Sequence, residues 1–534
     1  MYKPLIDEVK GDREWSLLEQ DFLDECKLGM VAYLPGKGDC PKDQSDPDRR
    51  VRAGLIRYLL LGGCKTEGGA RPHPKGVRLM GAWIDGVLDF EGCTTRLNLA
   101  LHHCFFRDGL VFRDAELGGL YLTGSRAEQR VDLHRLTTKT DVHLRGGFHA
   151  TGLVNLGGAR IGGQLSCSGG RFDGTGGTAI NCNAARIRAG VFLKYGFHAS
   201  RRVNFRGARI DGTFEVLVAT LEGGIDLGSS QIKGRFFWQN IQGLVPVVDL
   251  TEAQVRVLVD DLPSWDKVTE LHLSGFTYER IQSGMGIADR LEWLDGKRER
   301  KLPTEMQEKL RAQPWLATGS GFDPQPYTQL ARVLEDQGNR GGAARVREVR
   351  ESKLRVAEQS RAFGRVDGTF RAAFGSIPAM LRRLWDFMFR WMFGYGHQPA
   401  RALVWVTGIW LLAFLLYSSV YAAGQMAPNS DVILTSADWL EIAKAYKAGD
   451  EMPMHAWLNT PAARDYETFS AGLYALDLFL PLDALGQEAA WAPSLERGAL
   501  GVLGYWMRMP IQLAGWVITA VGAAVLTGLV GRKE

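Results

Sequence analysis

The chain has 534 residues, 45% of them hydrophobic, with 64 Lys and Arg against 60 Asp and Glu and a formal net charge of +4. That length allows roughly three or four domain-sized units, and so small a charge gives no ground for a nucleic-acid partner; none is expected. Gly is abundant at 64 residues, above the average usage of about 7%, and most of the excess lies between Gly62 and Gly234, which points to turns at regular intervals.

Met1 to Lys10 carries charges throughout and no apolar run follows, so the N-terminus does not read as a signal peptide and the first 400 residues are expected in the cytoplasm. All seven cysteines (Cys26, Cys40, Cys64, Cys93, Cys104, Cys167 and Cys182) fall in the first third. None forms a CxxC pair, which suits a reducing compartment and small buried residues in β-coils. Residues 1–75 are expected to form a helical cap, with Leu55, Tyr58 and Leu59 on one side of a helix.

A repeat occupies residues 76–262. Phe148-His-Ala-Thr-Gly-Leu-Val-Asn-Leu-Gly-Gly-Ala-Arg-Ile161 is nearly copied, 49 residues on, by Phe197-His-Ala-Ser-Arg-Arg-Val-Asn-Phe-Arg-Gly-Ala-Arg-Ile210. A weaker copy, Ile225 to Ile232, follows after 22 residues, and Ala115 and Ala159 lie twice 22 apart. Repetition at this period signals a solenoid. Phe205, Ile210, Val216, Leu221, Leu227 and Ile232 alternate steps of five and six. That is neither helical nor strictly alternating, and it fits a coil with four short faces, each sending a large apolar residue inward. Ala82, Ala159, Ala185, Ala208 and Ser230, two before the aliphatic position, would fill the space beside it. Glycines after the Ile would permit corners with unusual backbone angles. Stacked coils bury a ladder that one coil cannot.

These residues resemble the pentapeptide-repeat family, and the resemblance implies a right-handed quadrilateral β-helix over roughly Val77 to Val259. The chain departs from the family's strict five-residue face, and a Gly- and Thr-rich insertion (Ser168 to Thr178) interrupts one coil. Whole chains of this layout, a repeat followed by two membrane spans, resemble bacterial membrane proteins, some labelled oxidoreductase.

Residues 263–322 read as a linker and C-terminal cap. Residues 323–400 read as a basic helical connector. Tyr327, Leu330, Ala331 and Leu334 stand at helical spacing before a stop at Gly338, and Ala343, Val346, Val349 and Leu354 continue on a second helix. The pair resembles half of a tetratricopeptide-like hairpin, expected to pack on the end of the solenoid. From Arg345 to Arg401, twelve basic residues face five acidic ones. Arg382, Arg383, Trp385, Arg390 and Trp391 are expected to contact an anionic membrane surface.

Two transmembrane helices are expected, at 401–424 and 509–531. Trp405, Trp410, Tyr417, Tyr421, Tyr505, Trp506 and Trp516 would be aromatic anchors. The segment between, Gly424 to Arg508, has eleven acidic and five basic residues, so the positive-inside rule places it outside the cell membrane and both termini in the cytoplasm. Its apolar stretch Phe469 to Gly486 is too short to span and reads first as an interfacial or packed outer helix.

The function expected is a non-enzymatic scaffold in the plasma membrane, whose cytoplasmic β-helix binds a protein partner or senses a signal, with the lipid bilayer as its other partner. Span, short helix, span is also the layout of a two-span pore-loop channel. In that reading Asp477 and Asp483 would line the pore of a homo-oligomer gated by the solenoid. Gly394-Tyr-Gly396 precedes the first span and cannot be its filter. A membrane-associated oxidoreductase is the third reading, but Gly174-Thr-Gly-Gly177 lacks the strand–turn–helix setting of a dinucleotide loop. No catalytic residue, metal site or cofactor is expected. His102-His103-Cys104 alternates between opposite faces of a strand, and His149 and His198 hold equivalent repeat positions.

Overall fold

Pairing between coils decides the architecture. In the computed structural model, which describes residues 6–42, 45–63, 73–295, 322–364, 400–447, 451–480 and 485–526, short strands pair parallel with the strand one coil further on. One face of the solenoid is a nine-stranded parallel sheet running from Leu88–Asp89 to Val268–His272. Its register steps from Leu88 through Leu110, Val131, Val154, Ile180, Val203, Ile225 and Val248 to Leu271. Eight steps cover 183 residues, about 23 per coil, a little longer than the 22-residue repeat alone implies. The 49-residue offset of the two near copies is one step of 26 and one of 23. The long step carries the Gly- and Thr-rich insertion, and the register shifts between Thr178 and Ile180.

Within one coil the inward side chains come in pairs two residues apart: Val203 with Phe205, Ala208 with Ile210, Phe214 with Val216, and Ala219 with Leu221, all buried. Each pair is the inner side of a short extended run, the last two sharing the single strand Thr213–Leu221, and successive pairs start five or six residues apart. Ile225 with Leu227 and Ser230 with Ile232 begin the next coil. We number the faces of this coil 1 to 4 in that order. Aromatic rings stack up the interior, Phe90 on Phe112 at 5.1 Å and Phe148, Phe172 and Phe197 in a row at 5.7 and 5.4 Å.

The chain bends at most of the glycines after the Ile, but of these Gly86 (φ +88°) takes the unusual backbone angle expected there, while Gly162, Gly163, Gly212 and Gly234 do not. Left-handed backbone recurs between faces 1 and 2, at Asp114, Arg135, Gly158, Ala184, Gly207, Ser229, Glu252 and Gly275. Gly212 serves close approach instead: a Cβ there would stand 1.4 Å from the Ala189 carbonyl oxygen of the preceding coil. A non-Gly residue in the left-handed region costs about 1–2 kcal/mol. Ala184→Gly is therefore expected to raise stability by about 1 kcal/mol, and Gly207→Ala to lower it by a similar amount. Denaturant midpoints of the two variants check this; equal midpoints would refute it.

At the N-terminal end, α1 (Leu17–Leu28) starts in a capping box between Ser16 and Glu19. The buried Glu19 carboxylate also accepts the Arg52 amide at 2.9 Å. Strand Arg50–Arg52 joins the first coil beside Trp83–Asp85. Then α2 (Ala53–Leu60) buries Leu55, Ile56, Leu59 and Leu60; of the expected apolar side, Leu55 and Leu59 point inward and Tyr58 is half-buried.

Beyond Val259 strand pairing does not fade with the repeat. Val268–His272 and Thr277–Ser283 add a further partial coil, whose Leu273, Phe276 and Tyr278 are buried. Trp265 stacks on Trp238 at 5.2 Å, and Trp293 of α3 (Ile287–Asp295) packs on Trp265 at 5.7 Å. Helix α4 (Gln325–Asp336) lies along the last strand. Side-chain amides of Gln325, Gln329 and Gln337 donate to the carbonyls of Phe276, Tyr278 and Ile281 at 3.2, 2.6 and 2.9 Å. These bonds satisfy strand groups that no further coil reaches. Gly338 follows with φ +83°, and α5 (Arg340–Gly364) buries Ala343 and Val346.

The second unit begins at Arg347. Its centre is α6 (Ala400–Ala422), α7 (Ala471–Phe479) and α8 (Ala499–Leu526). Among the described residues α6 is the one helix long and apolar enough to cross a membrane, over Leu403–Ala422. The second expected span falls on α8, whose last five expected residues, 527–531, lie outside the described residues. Tyr417 and Tyr421, expected as interfacial anchors, pack inward: the Tyr417 hydroxyl donates to the Gly504 carbonyl at 3.0 Å, and Tyr421 stacks on Phe469 at 4.6 Å. The segment between α6 and α8 is folded: strands Met426–Pro428 and Trp491–Pro493 pair antiparallel, and Trp439, Met454, Trp457, Tyr474 and Trp491 share one core.

Candidate interaction surface

Because strand side chains alternate, each coil displays one residue between every inward pair, and these residues line up along the solenoid. On face 1 the line reads Asp132, Asn155, Asn181, Asn204, Asp226, Asp249. Asn155, Asn181 and Asn204 each donate a side-chain amide to the residue one coil back, at 3.0, 2.9 and 3.2 Å. Each member also accepts the amide of the residue two further on, for example Gly228 to Asp226 at 2.8 Å and Thr251 to Asp249 at 2.9 Å. The same side chain thus ties neighbouring coils and closes its own corner.

Arginines cover the carboxylates. Arg206 donates to Asp226 at 3.1 Å and to Asp249 at 2.8 Å, and Arg202 also binds Asp226, whose side chain is fully buried. Arg113 and Arg130 pair with Asp132 at 3.0 and 3.3 Å. Burial presses the Asp132 carboxyl upward, but Arg113, Arg130, the His134 amide and Asn155 outweigh it and hold the carboxyl below its ordinary value. A depressed folded value stabilises the coil above the unfolded-chain value near 4; that contribution disappears as the pH falls through the folded value. Acidification below about pH 4 is expected to weaken the solenoid, and Asp132→Asn to flatten the dependence. Unfolding midpoints followed from neutral pH downward test this: an identical acid slope in the variant would refute it.

Other polar groups occupy structural places. His149 and His198, in equivalent positions of face 4, each meet a carboxylate one coil on, Asp173 at 2.7 Å and Glu222 at 3.2 Å. Cys104 points inward, fully buried, and burial pushes its thiol up to about 12; His102 lies on the outer side of its strand, half-buried, and His103 sits at a left-handed corner. The three do not converge. Among the described residues, no His, Cys, Asp and Glu group could hold a metal.

Of the expected pore residues, Asp477 is buried on α7, and its carboxylate accepts the Leu485 and Glu488 amides at 3.1 and 2.9 Å. Asp483 lies outside the described residues, as do Arg382, Arg383, Trp385, Arg390 and Trp391.

The sequence carried a signal for the face 1 ladder that its apolar spacing did not expose. Val-Asn recurs in both near copies, as Val154-Asn155 and Val203-Asn204. Ala-Arg-Ile recurs three times, at 159–161, 185–187 and 208–210, and places Arg160, Arg186 and Arg209 in register on the outside of face 2. The fold defines a β-solenoid of about nine coils joined to a helical unit. No protein-family model, curated protein or solved structure matches the chain.

Proposed function

We propose that this protein is a membrane-anchored, non-enzymatic scaffold whose β-helix serves as an interaction or sensing platform on the cytoplasmic side. The observation that carries the reading is α6. Its 20-residue stretch Leu403–Ala422 has a mean hydropathy of 1.9, and only 17% of its most apolar window is buried. Leu403, Val404 and Leu412 are 68–73% exposed, a surface that a bilayer would cover. We read Met509–Gly531 as a second span for the same reason, since Met509, Leu513 and Trp516 on α8 are 63–67% exposed. The charge balance of the flanks supports termini inside and the 425–508 segment outside. The solenoid offers regularly spaced side chains on a rigid rod, the kind of surface on which repeat proteins bind partners.

Membrane fractions test the anchoring. The chain is expected to resist salt and alkaline extraction, and protease added outside intact cells is expected to cut only within 425–508. Release by alkali, or digestion of the solenoid from outside, would overturn the reading. Partner capture should map to residues 77–260. The packing of short helix α7 against both α6 and α8 supports the pore-loop channel as a second reading. It requires a homo-oligomer in detergent and a planar-bilayer conductance that changes in Asp477→Asn.

A further inference from the structure

Face 2 differs from the ladder beside it. Six consecutive strands in the middle of this face, at Thr137, Arg160, Arg186, Arg209, Gln231 and Gln254, pair in register, and the strands that flank them, at Glu116 and Thr277, carry the exposed carboxylates of Glu116 and Glu279. With Lys139, Gly162, Arg188, Asp211, Lys233 and Arg256, two residues further on, they make twelve outward positions over about 24 Å at the usual strand spacing. Seven are basic and one is acidic. Lys233 answers that one, Asp211, at 2.7 Å. Lys139, Arg160, Arg186, Arg188, Arg209 and Arg256 are exposed and make no ion pair among the described residues. Like charges on neighbouring strands repel, so the row works against the stability of the coils that carry it.

We propose that face 2 docks on anionic lipid headgroups as a second membrane contact, an inference that rests on the membrane-anchored reading. The composition of the face selects the partner. None of its twelve positions carries an aromatic or aliphatic side chain, so it lacks the buried anchors on which protein interfaces depend. It equally lacks the stacking platforms of single-strand nucleic-acid sites. A lipid surface is read by charge alone. A chain held at the bilayer meets it at high effective concentration, where weak contacts suffice.

Each basic residue near an anionic surface changes partition about fivefold, so removing three should shift docking about a hundredfold. The test uses the full chain in vesicles, with a fluorophore on Gln231→Cys and acceptor-labelled headgroups. Energy transfer is expected to be higher in phosphatidylcholine–phosphatidylserine vesicles than in phosphatidylcholine, and to fall in high salt. It should vanish in Arg160→Gln/Arg186→Gln/Arg209→Gln and survive in the matching triple Lys variant, with unfolding midpoints confirming that both fold. Transfer independent of lipid charge, in a chain that still floats with neutral vesicles, would overturn docking and leave anchoring standing. Failure to float with neutral vesicles would remove the anchoring and the docking with it. Binding of poly-glutamate or a single-stranded oligonucleotide that outlasts vesicle contact as salt rises would give the face to a soluble polyanion, overturning the inference.

Discussion

Truncating Arg290 to Ala is expected to destabilise the C-terminal coils by about 3–5 kcal/mol, the usual consequence of leaving one member of a buried ion pair behind. Asp260 ends its strand with its side chain fully buried, and the Arg290 guanidinium grips it with two bonds of 2.7 and 2.5 Å. Trp265 Nε1 adds a third at 2.7 Å, and the guanidinium lies over the Trp293 ring at 5.0 Å. Without Arg290 the carboxylate keeps one donor among rings that cannot solvate it. The double variant Arg290→Met/Asp260→Leu should recover most of the loss, because no charge is then stranded. Hydrogen exchange across Gln254–Ser283, with denaturant midpoints, reads both. Equal losses in the single and double variants would show that packing, not the pair, seals this end.

Phe172→Ala should cost about 3–5 kcal/mol, the range for emptying a buried aromatic site. Phe172 is fully buried between Phe148 and Phe197, so neither neighbour can close on the space without leaving its own coil. A solenoid coil touches only the coils beside it. The loss of exchange protection should therefore centre on Phe148–Ala199 and leave both ends protected. Uniform loss along the rod would contradict this one-dimensional account.

The apolar ladder made most of the solenoid readable in advance. Phe205, Ile210, Val216, Leu221, Leu227 and Ile232 all point inward because large apolar residues at five- and six-residue steps have one way to be buried together. Polar partnerships were not readable, since those between coils join residues anywhere from 19 to 43 positions apart and leave no fixed period. Asn155 meets Asn181 across the insertion, and Asp260 finds Arg290 on a separate helix. The final coil escaped because it builds only part of a circuit before α3 covers it. The glycines misled for another reason: Gly212 answers a neighbouring carbonyl, a constraint invisible until coils are stacked. Asp477 was readable as an acidic residue on an apolar helix, but its amide partners arrive from a turn eight to eleven residues later.

Gln325 and Gln329 of α4, with Gln337 at its C-cap, also settle how long the rod can be. A parallel stack has no intrinsic end; every finished turn is a template for one more, supplied by the same chain or by another molecule. By occupying those carbonyls with side chains that cannot themselves be extended, α4 acts as a terminator against fibre growth. Replacing Gln325, Gln329 and Gln337 together with Leu would reopen the template, and polymerisation from that end would be the visible result.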